Sequence, residues 1–161
     1  MEIKDSGTRR EFETGAVRDV AEGKGRCDLL PLDIIGMLTE DTIYNWLYRY
    51  VRTGDINSLH NVITLFVKDY FGDLESAILE VAKHYEEGAK KYAERNWEQG
   101  IPLHCYIDSA VRHYLKYRRG DDDEPHARAF LWNILGAWWT HINLPEMIDL
   151  PFADKETDKC E

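Results

Sequence analysis

Apolar side chains recur along this chain at intervals of three and four residues, the period of a helix with one buried face. Ile43, Trp46, Leu47, Tyr50 and Val51 mark one such face, entered through the capping side chains of Thr39-Glu40-Asp41 and stopped at Gly54. Asp55 restarts a helix with Ile56, Leu59, Ile63, Phe66, Val67 and Tyr70, ended by Gly72. Asp73 caps a longer one, whose expected core stripe is Leu74, Ile78, Val81, Tyr85 and Tyr92. After a turn at Gly100, Pro102 stands at the first position of the next helix, with Leu103, Ile107, Ala110, Tyr114 and Tyr117 facing inward. The last runs from His126 to about His141 and offers Phe130, Leu131, Ile134, Leu135 and Trp138 to the core. Ahead of all these, the apolar run Leu29 to Leu38 around Pro31 predicts a short buried helix. No strand-period alternation, hairpin signal or internal repeat competes. The expectation is an all-α fold: a single helical bundle of about five or six helices in one domain, 1–161, with a Gly-rich N-terminal loop.

The ends carry no such period. Residues 1–11 are polar and are expected to fray, as is the polar tail 154–161. Between Thr14 and Asp28, glycines at 15, 23 and 25 alternate with charges and few core-forming side chains. Such a stretch is either a flexible lead-in or a loop whose backbone must approach something closely. It is not a P-loop, because Gly23-Lys24-Gly25 lacks the glycine spacing and the Ser/Thr after the lysine.

Length and composition narrow the function. A chain of 161 residues can bury a core without metal or disulfide staples. It has no apolar run near the ~20 residues that span a bilayer, and its start lacks a secretion signal, so no membrane partner and a cytoplasmic location are expected. Cys27, Cys105 and Cys160 are odd in number and widely spaced, which suggests reduced thiols rather than a disulfide framework or zinc knuckle. The formal net charge of -10 argues against extended nucleic acid. A small anionic ligand is compatible with it. Basic residues gather in Arg18 to Arg26, Lys90 to Arg95 and Arg112 to Arg119, which either converge on phosphates or are exposed faces and caps.

The densest chemistry lies between His84 and Pro102. His84, Glu87 and Lys91 fall on one helix face at i, i+3 and i+7, and Arg95-Asn96-Trp97 then presents a cation, an amide and a large ring suited to phosphate and base contacts. The plain alternative is a solvated face. On the next helix Asp108, Ser109, Arg112, His113 and Lys116 share a flank, where Asp108 and Arg112 four apart also make a local ion pair. On the last helix His126, Ala129, Asn133, Gly136 and Thr140 form a stripe of small or polar side chains, which admits a flat ligand or simply packs tightly. The adjacent Trp138 and Trp139 cannot both face one core, so a homo-oligomer with one of them at the interface is expected. Glu86, Glu87, Asp108, Asp123 and Glu124 are carboxylates that a magnesium ion serving phosphate chemistry would use.

Four strings in this chain, Thr14 to Pro31, His84 to Pro102, Tyr106 to His113 and His126 to Asn133, closely resemble a mostly phage-encoded family, the dATP/dGTP diphosphohydrolase N-terminal domain. The resemblance covers roughly Phe12 to Pro31 and His84 to Leu144, and leaves 36–80 as a helical insertion. It implies hydrolysis of a purine deoxynucleoside triphosphate to monophosphate and pyrophosphate with Mg2+. More distantly the chain resembles the MazG-type all-α NTP pyrophosphatases, which set Glu-Glu-x-x-Glu on one helix and Glu-x-x-Asp on another. Here Glu86-Glu87 are followed by Lys90 in place of the third glutamate, and Asn133 follows Phe130 where the second motif would end.

On this footing Glu86, Glu87 and Asp108 are the expected catalytic residues, and together with Asp123 the expected metal ligands. Arg18, Lys24, Arg26, Lys91 and Arg95 are expected to grip phosphates, and Arg112 to contact the ligand. Trp97 and Asn133 are expected to read base or sugar, with His84, Asn96, His113 and His126 completing the ligand site. The competing expectation is a non-catalytic protein that binds and sequesters a purine or cyclic-nucleotide signal.

Overall fold

The computed structural model describes residues 2–152; the tail expected over 154–161 and Cys160 lie outside them. Six α-helices follow a short hairpin: β1 Arg9–Glu11, β2 Val17–Asp19, α1 Leu32–Thr39, α2 Thr42–Thr53, α3 Ile56–Phe66, α4 Leu74–Lys91, α5 Leu103–Arg119 and α6 His126–Asn143. Three helices begin at an aspartate that accepts an otherwise unbonded first-turn amide. Asp41 takes Ile43 N at 3.0 Å, Asp55 takes Asn57 N at 3.0 Å and Asp73 takes Ser76 N at 2.7 Å. Gly54 and Gly120 end α2 and α5 in the left-handed conformation that a side chain resists. Pro31 and Pro102 stand one place earlier than expected, as caps of α1 and α5.

Helices α5 and α6 form the middle of the bundle. Gly136 of α6 lies under the ring of Tyr106, where a Cβ would come within 2.3 Å of Cε1. The small-residue stripe is therefore, at this point, a helix contact. Phe66 at the end of α3 meets Phe130 at 4.7 Å between ring centroids and is edge-on to Tyr114 and Tyr117, so α3, α5 and α6 share one aromatic core. Leu47, Tyr50, Leu59 and Val62 belong to that same core, so segment 36–80 is packed into the bundle rather than appended to it. Asp41 also accepts the Tyr114 hydroxyl at 2.6 Å, which ties the start of α2 to α5.

Three sequence expectations are corrected. Residues 9–11 and 17–19 pair antiparallel, with Arg9 opposite Asp19, Arg10 opposite Arg18 and Glu11 opposite Val17. Strands of three residues are too short for an alternation pattern to register. Nor is the stretch 2–11 a loose end: Ile3 N donates to Glu87 at 2.8 Å and Lys4 Nζ reaches Asp123 at 2.5 Å. Finally, α1 and α4 are not buried along their apolar stripes. Ile34, Met37 and Leu38 on α1, and Leu74, Ile78 and Leu79 on α4, are more than half exposed, while α4 buries only Ala77 and Val81. Trp138 and Trp139, by contrast, both find partners within the chain, His60 and Trp97. Both rings stay partly exposed.

Candidate functional site

A pocket of about 1080 Å³ opens between the N-terminal segment, the second half of α4 and one face each of α5 and α6. Its near wall is the hairpin, and one side chain from the turn after α4 holds that wall in place. Asn96 accepts Val17 N on Oδ1 and donates Nδ2 to Val17 O, both at 2.8 Å, so its amide pairs with the outer edge of β2 as a third strand would. The residue before it, Arg95, adopts φ 56°, which turns the chain sharply enough to bring Asn96 there. The Gly-rich loop that follows β2 is fastened by α5. Asp108 accepts Cys27 N at 2.7 Å and both Arg112 contacts at 2.6–2.7 Å, and Arg112 donates onward to Gly25 O at 2.8 Å. Gly23 and Gly25 are at positive φ with open space where a Cβ would stand, so their role is the turn itself rather than close approach to a partner.

Within the pocket the cations divide into two groups. Lys91 is spent on Asp19 at 2.7 Å and on Lys4 O; Arg112 is spent on Asp108; Arg95 pairs with Glu98 on the surface; and Arg26 forms a bidentate pair with Asp28 away from the lining. Arg10, Arg18 and Lys24 line the pocket and, among the described residues, have no carboxylate partner. Arg18 lies over the rings of Tyr106 and Trp132 at 5.3 and 5.5 Å and donates Nη2 to Ser109 Oγ and Asn133 Oδ1 at 3.1 and 3.0 Å. Its Nη1, like Nε of Arg10, is buried without a hydrogen-bond partner. Burial pulls the Arg18 pKa below the ordinary arginine value.

Aromatic rings supply the other walls. Tyr85, Tyr92, Trp97 and Trp132 line the pocket, with Trp97 edge-on to Tyr85 at 5.7 Å. His84 tilts against Trp132 at 5.5 Å, and its Nδ1 is buried without a partner. Burial, followed by the nearby Arg128 charge, pushes its pKa down to about 4, so the ring is neutral at pH 7. Asn133 forms part of the floor, its Nδ2 turned back to Ala129 O at 2.8 Å.

The expected residues are thus only partly gathered. Arg18, Lys24, His84, Glu86, Lys91, Arg95, Asn96, Trp97, Arg112, His113 and Asn133 line the pocket; Arg26, Glu87, Asp108, Asp123 and His126 stand outside its lining. Arg10, Lys4 and Trp132 were missed, while Glu124, named only among the available carboxylates, also lines the pocket. Pairing between 9–11 and 17–19 was the signal for Arg10, because it sets that side chain beside Arg18. The four expected magnesium ligands do not form one oxygen-lined site. Glu86 is exposed and paired with Lys90, Glu87 accepts from Ile3 N and Arg128, and Asp108 is filled by Cys27 N and Arg112. Among the described residues, two groups have ligand atoms close enough to share an ion, His113–Glu124–His126 and Asp121–Asp123–His126, and of the four expected ligands only Asp123 joins either.

Among families of known proteins, the model described as dATP/dGTP diphosphohydrolase, N-terminal, matches residues 66–149, just over half of the chain. That span takes in α4, α5 and α6, whereas the hairpin, the Gly-rich loop, α1 and α2 precede it. No curated protein and no solved structure matches.

Proposed function

The chain belongs to the dATP/dGTP diphosphohydrolase N-terminal family, and from that premise we propose that its pocket binds a purine deoxynucleoside triphosphate and hydrolyses it to monophosphate and pyrophosphate. One observation carries the binding half of this reading. Arg10 and Arg18 face each other across the hairpin, each with a buried nitrogen lacking a partner. Like charges directly opposite in a strand pair destabilise it, and a buried guanidinium without an acid is costlier still. A polyanion between them removes both costs, and Lys24 at the rim adds a third uncommitted charge. The walls fit the rest of a nucleotide: Trp97 and Trp132 offer faces for a base, and the unpartnered Nδ1 of neutral His84 offers it a polar edge.

Hydrolysis requires water to attack the α-phosphorus as pyrophosphate leaves, with the cations above neutralising the charge that develops on the leaving oxygens. The engagement of Glu87 and Asp108 by protein donors favours a second reading, in which the pocket retains the nucleotide intact. Incubation with dATP, dGTP, dCTP and a cyclic purine nucleotide, with thermal shift and chromatography of the recovered ligand, decides between them. Pyrophosphate with dAMP or dGMP supports hydrolysis; an intact purine nucleotide recovered after denaturation supports sequestration; absence of any shift and any product removes both.

A further inference from the structure

The turn between α5 and α6 carries a cluster that the nucleotide-binding groups above do not use. His113 lies on α5, Glu124 closes the acidic turn, and His126 is the first residue of α6 beyond Pro125. His113 Nδ1 stands 3.0 Å from His126 Nδ1 and 4.0 Å from Glu124 Oε2, and one ligand atom from each residue lies within 4.8 Å of the other two. On its far side His126 Nε2 meets Asp123 Oδ1 at 2.7 Å. A proton held on Nε2 by that carboxylate leaves the Nδ1 lone pair directed at His113 and Glu124. This is the outer carboxylate that orients a metal-binding imidazole. His126 is buried, and His113 and Glu124 line the pocket.

The neighbouring acids are otherwise engaged. Asp121 forms a bidentate pair with Arg119, and Asp123 takes Lys4 and Lys116 as well as His126. Glu124 is different: among the described residues its carboxylate accepts no hydrogen bond, and its one ion-pair distance is the 4.0 Å to His113. In a chain of Asp123, His126 and His113 that only passed protons, Glu124 would have no part. In an ion site it is the third ligand.

The geometry points to a metal site formed by His113, Glu124 and His126, taking a divalent first-row transition ion of the zinc class at the wall of the pocket. Two imidazoles and one carboxylate, with the remaining positions turned toward the cavity, are a donor set for zinc, manganese or cobalt rather than for magnesium, which favours oxygens alone. That such an ion would meet the phosphates of a bound nucleotide rests on the reading proposed above; that these residues hold an ion does not.

The test is metal uptake by the whole chain. After removal of metals by a chelator, the protein is dialysed against Zn2+ and its content measured, with Co2+ in parallel for its visible absorption bands and Mg2+ as the comparison. One zinc ion per chain is expected, together with a rise in melting temperature that Mg2+ at the same concentration does not produce. Glu124→Gln should weaken Zn2+ binding by more than tenfold, Asp123→Asn by roughly 10–100-fold through loss of the outer carboxylate, and His113→Ala with His126→Ala should abolish it. Because the double variant removes buried rings, circular dichroism and the milder Glu124→Gln separate lost ligation from lost fold. Absence of uptake, or uptake unchanged in Glu124→Gln and in the folded histidine variants, overturns the site and leaves a hydrogen-bonded histidine pair. Zinc uptake in a protein that binds no nucleotide would uphold this site and defeat the proposed function instead.

Discussion

Asn96 holds Val17 by both of its backbone polar groups, accepting from the N–H and donating to the C=O at 2.8 Å each. One side chain in a turn thus fixes the wall of the pocket that carries Arg10, Arg18 and Asp19. Asn96→Ala leaves a peptide donor and acceptor without partners, at a cost of about 2 kcal/mol. The melting temperature should fall modestly and nucleotide affinity more steeply, since the hairpin loses its registration against α4. Calorimetric titration beside a thermal melt checks the two effects; an affinity loss no larger than the stability loss predicts would show that the hairpin does not hold the ligand.

Arg18 should behave in the opposite way. Its guanidinium is buried opposite another arginine and has no acid. Arg18→Met replaces it with an apolar chain of similar length, which relieves repulsion and desolvation. Because the bonds to Ser109 Oγ and Asn133 Oδ1 are lost at the same time, the protein is expected to melt close to the parent, while losing roughly 10–100-fold in nucleotide affinity, the worth of one charge-assisted contact. A variant both unstable and fully able to bind would contradict that account.

Gly136 and Gly88 test packing at two helix positions. A Cβ at Gly136 would come within 2.3 Å of the Tyr106 ring, whereas at Gly88 it meets nothing within 4 Å. Gly136→Ala should cost about 2 kcal/mol, or about 5 °C in melting temperature. Gly88→Ala, in the interior of α4, should gain about 1 kcal/mol from helix propensity. Chemical denaturation of both variants gives the comparison directly.

The pH dependence of stability should bear the mark of His104 and Asp149. Their side chains meet at 2.5 Å, and the hydrogen bond to Asp149, then that to Cys105, raises the His104 pKa from 6.5 to about 10. A histidine whose pKa rises on folding stabilises fully below 6.5, and that stabilisation is lost as pH climbs from there through about 10. With Asp149 well exposed, solvent screening reduces the effect to about 1 kcal/mol. Melting temperatures between pH 6 and 10 should decline more in the parent than in Asp149→Asn; parallel curves would remove the pair from the account.

How far the fold could be read in advance depended on element length. Helices of eleven to eighteen residues such as α3, α4 and α6 repeat their pattern often enough to be recognised, and Asp41, Asp55 and Asp73 announce three of the starts. Burial was less legible, because spacing shows that Leu74 and Ile78 share a face with Val81 but not that the bundle covers only part of it. The hairpin was invisible for a different reason. Its strands are three residues each, and part of what holds them is Asn96, seventy-nine positions along the chain from Val17. Of the residues that line the pocket, His84, Lys91 and Asn96 were named by type and spacing, yet their partners could not be. Sequence shows that Lys91 is a cation near a pocket; only the fold shows that Asp19 already neutralises it.

Residues 3 and 4 line the pocket and are held there by polar contacts: Ile3 N donates to Glu87, Lys4 Nζ to Asp123, and Lys91 Nζ to Lys4 O. Of these, the Lys4–Asp123 pair is partly open to solvent, the lysine more than the aspartate. Dissolved ions screen such a pair, whereas the aromatic core beneath is indifferent to them. Raising ionic strength is therefore expected to loosen this one tie on the segment. Raising salt should hasten entry and departure of an occupant, followed by stopped-flow fluorescence of Trp97 and Trp132, while the helices melt at nearly the same temperature.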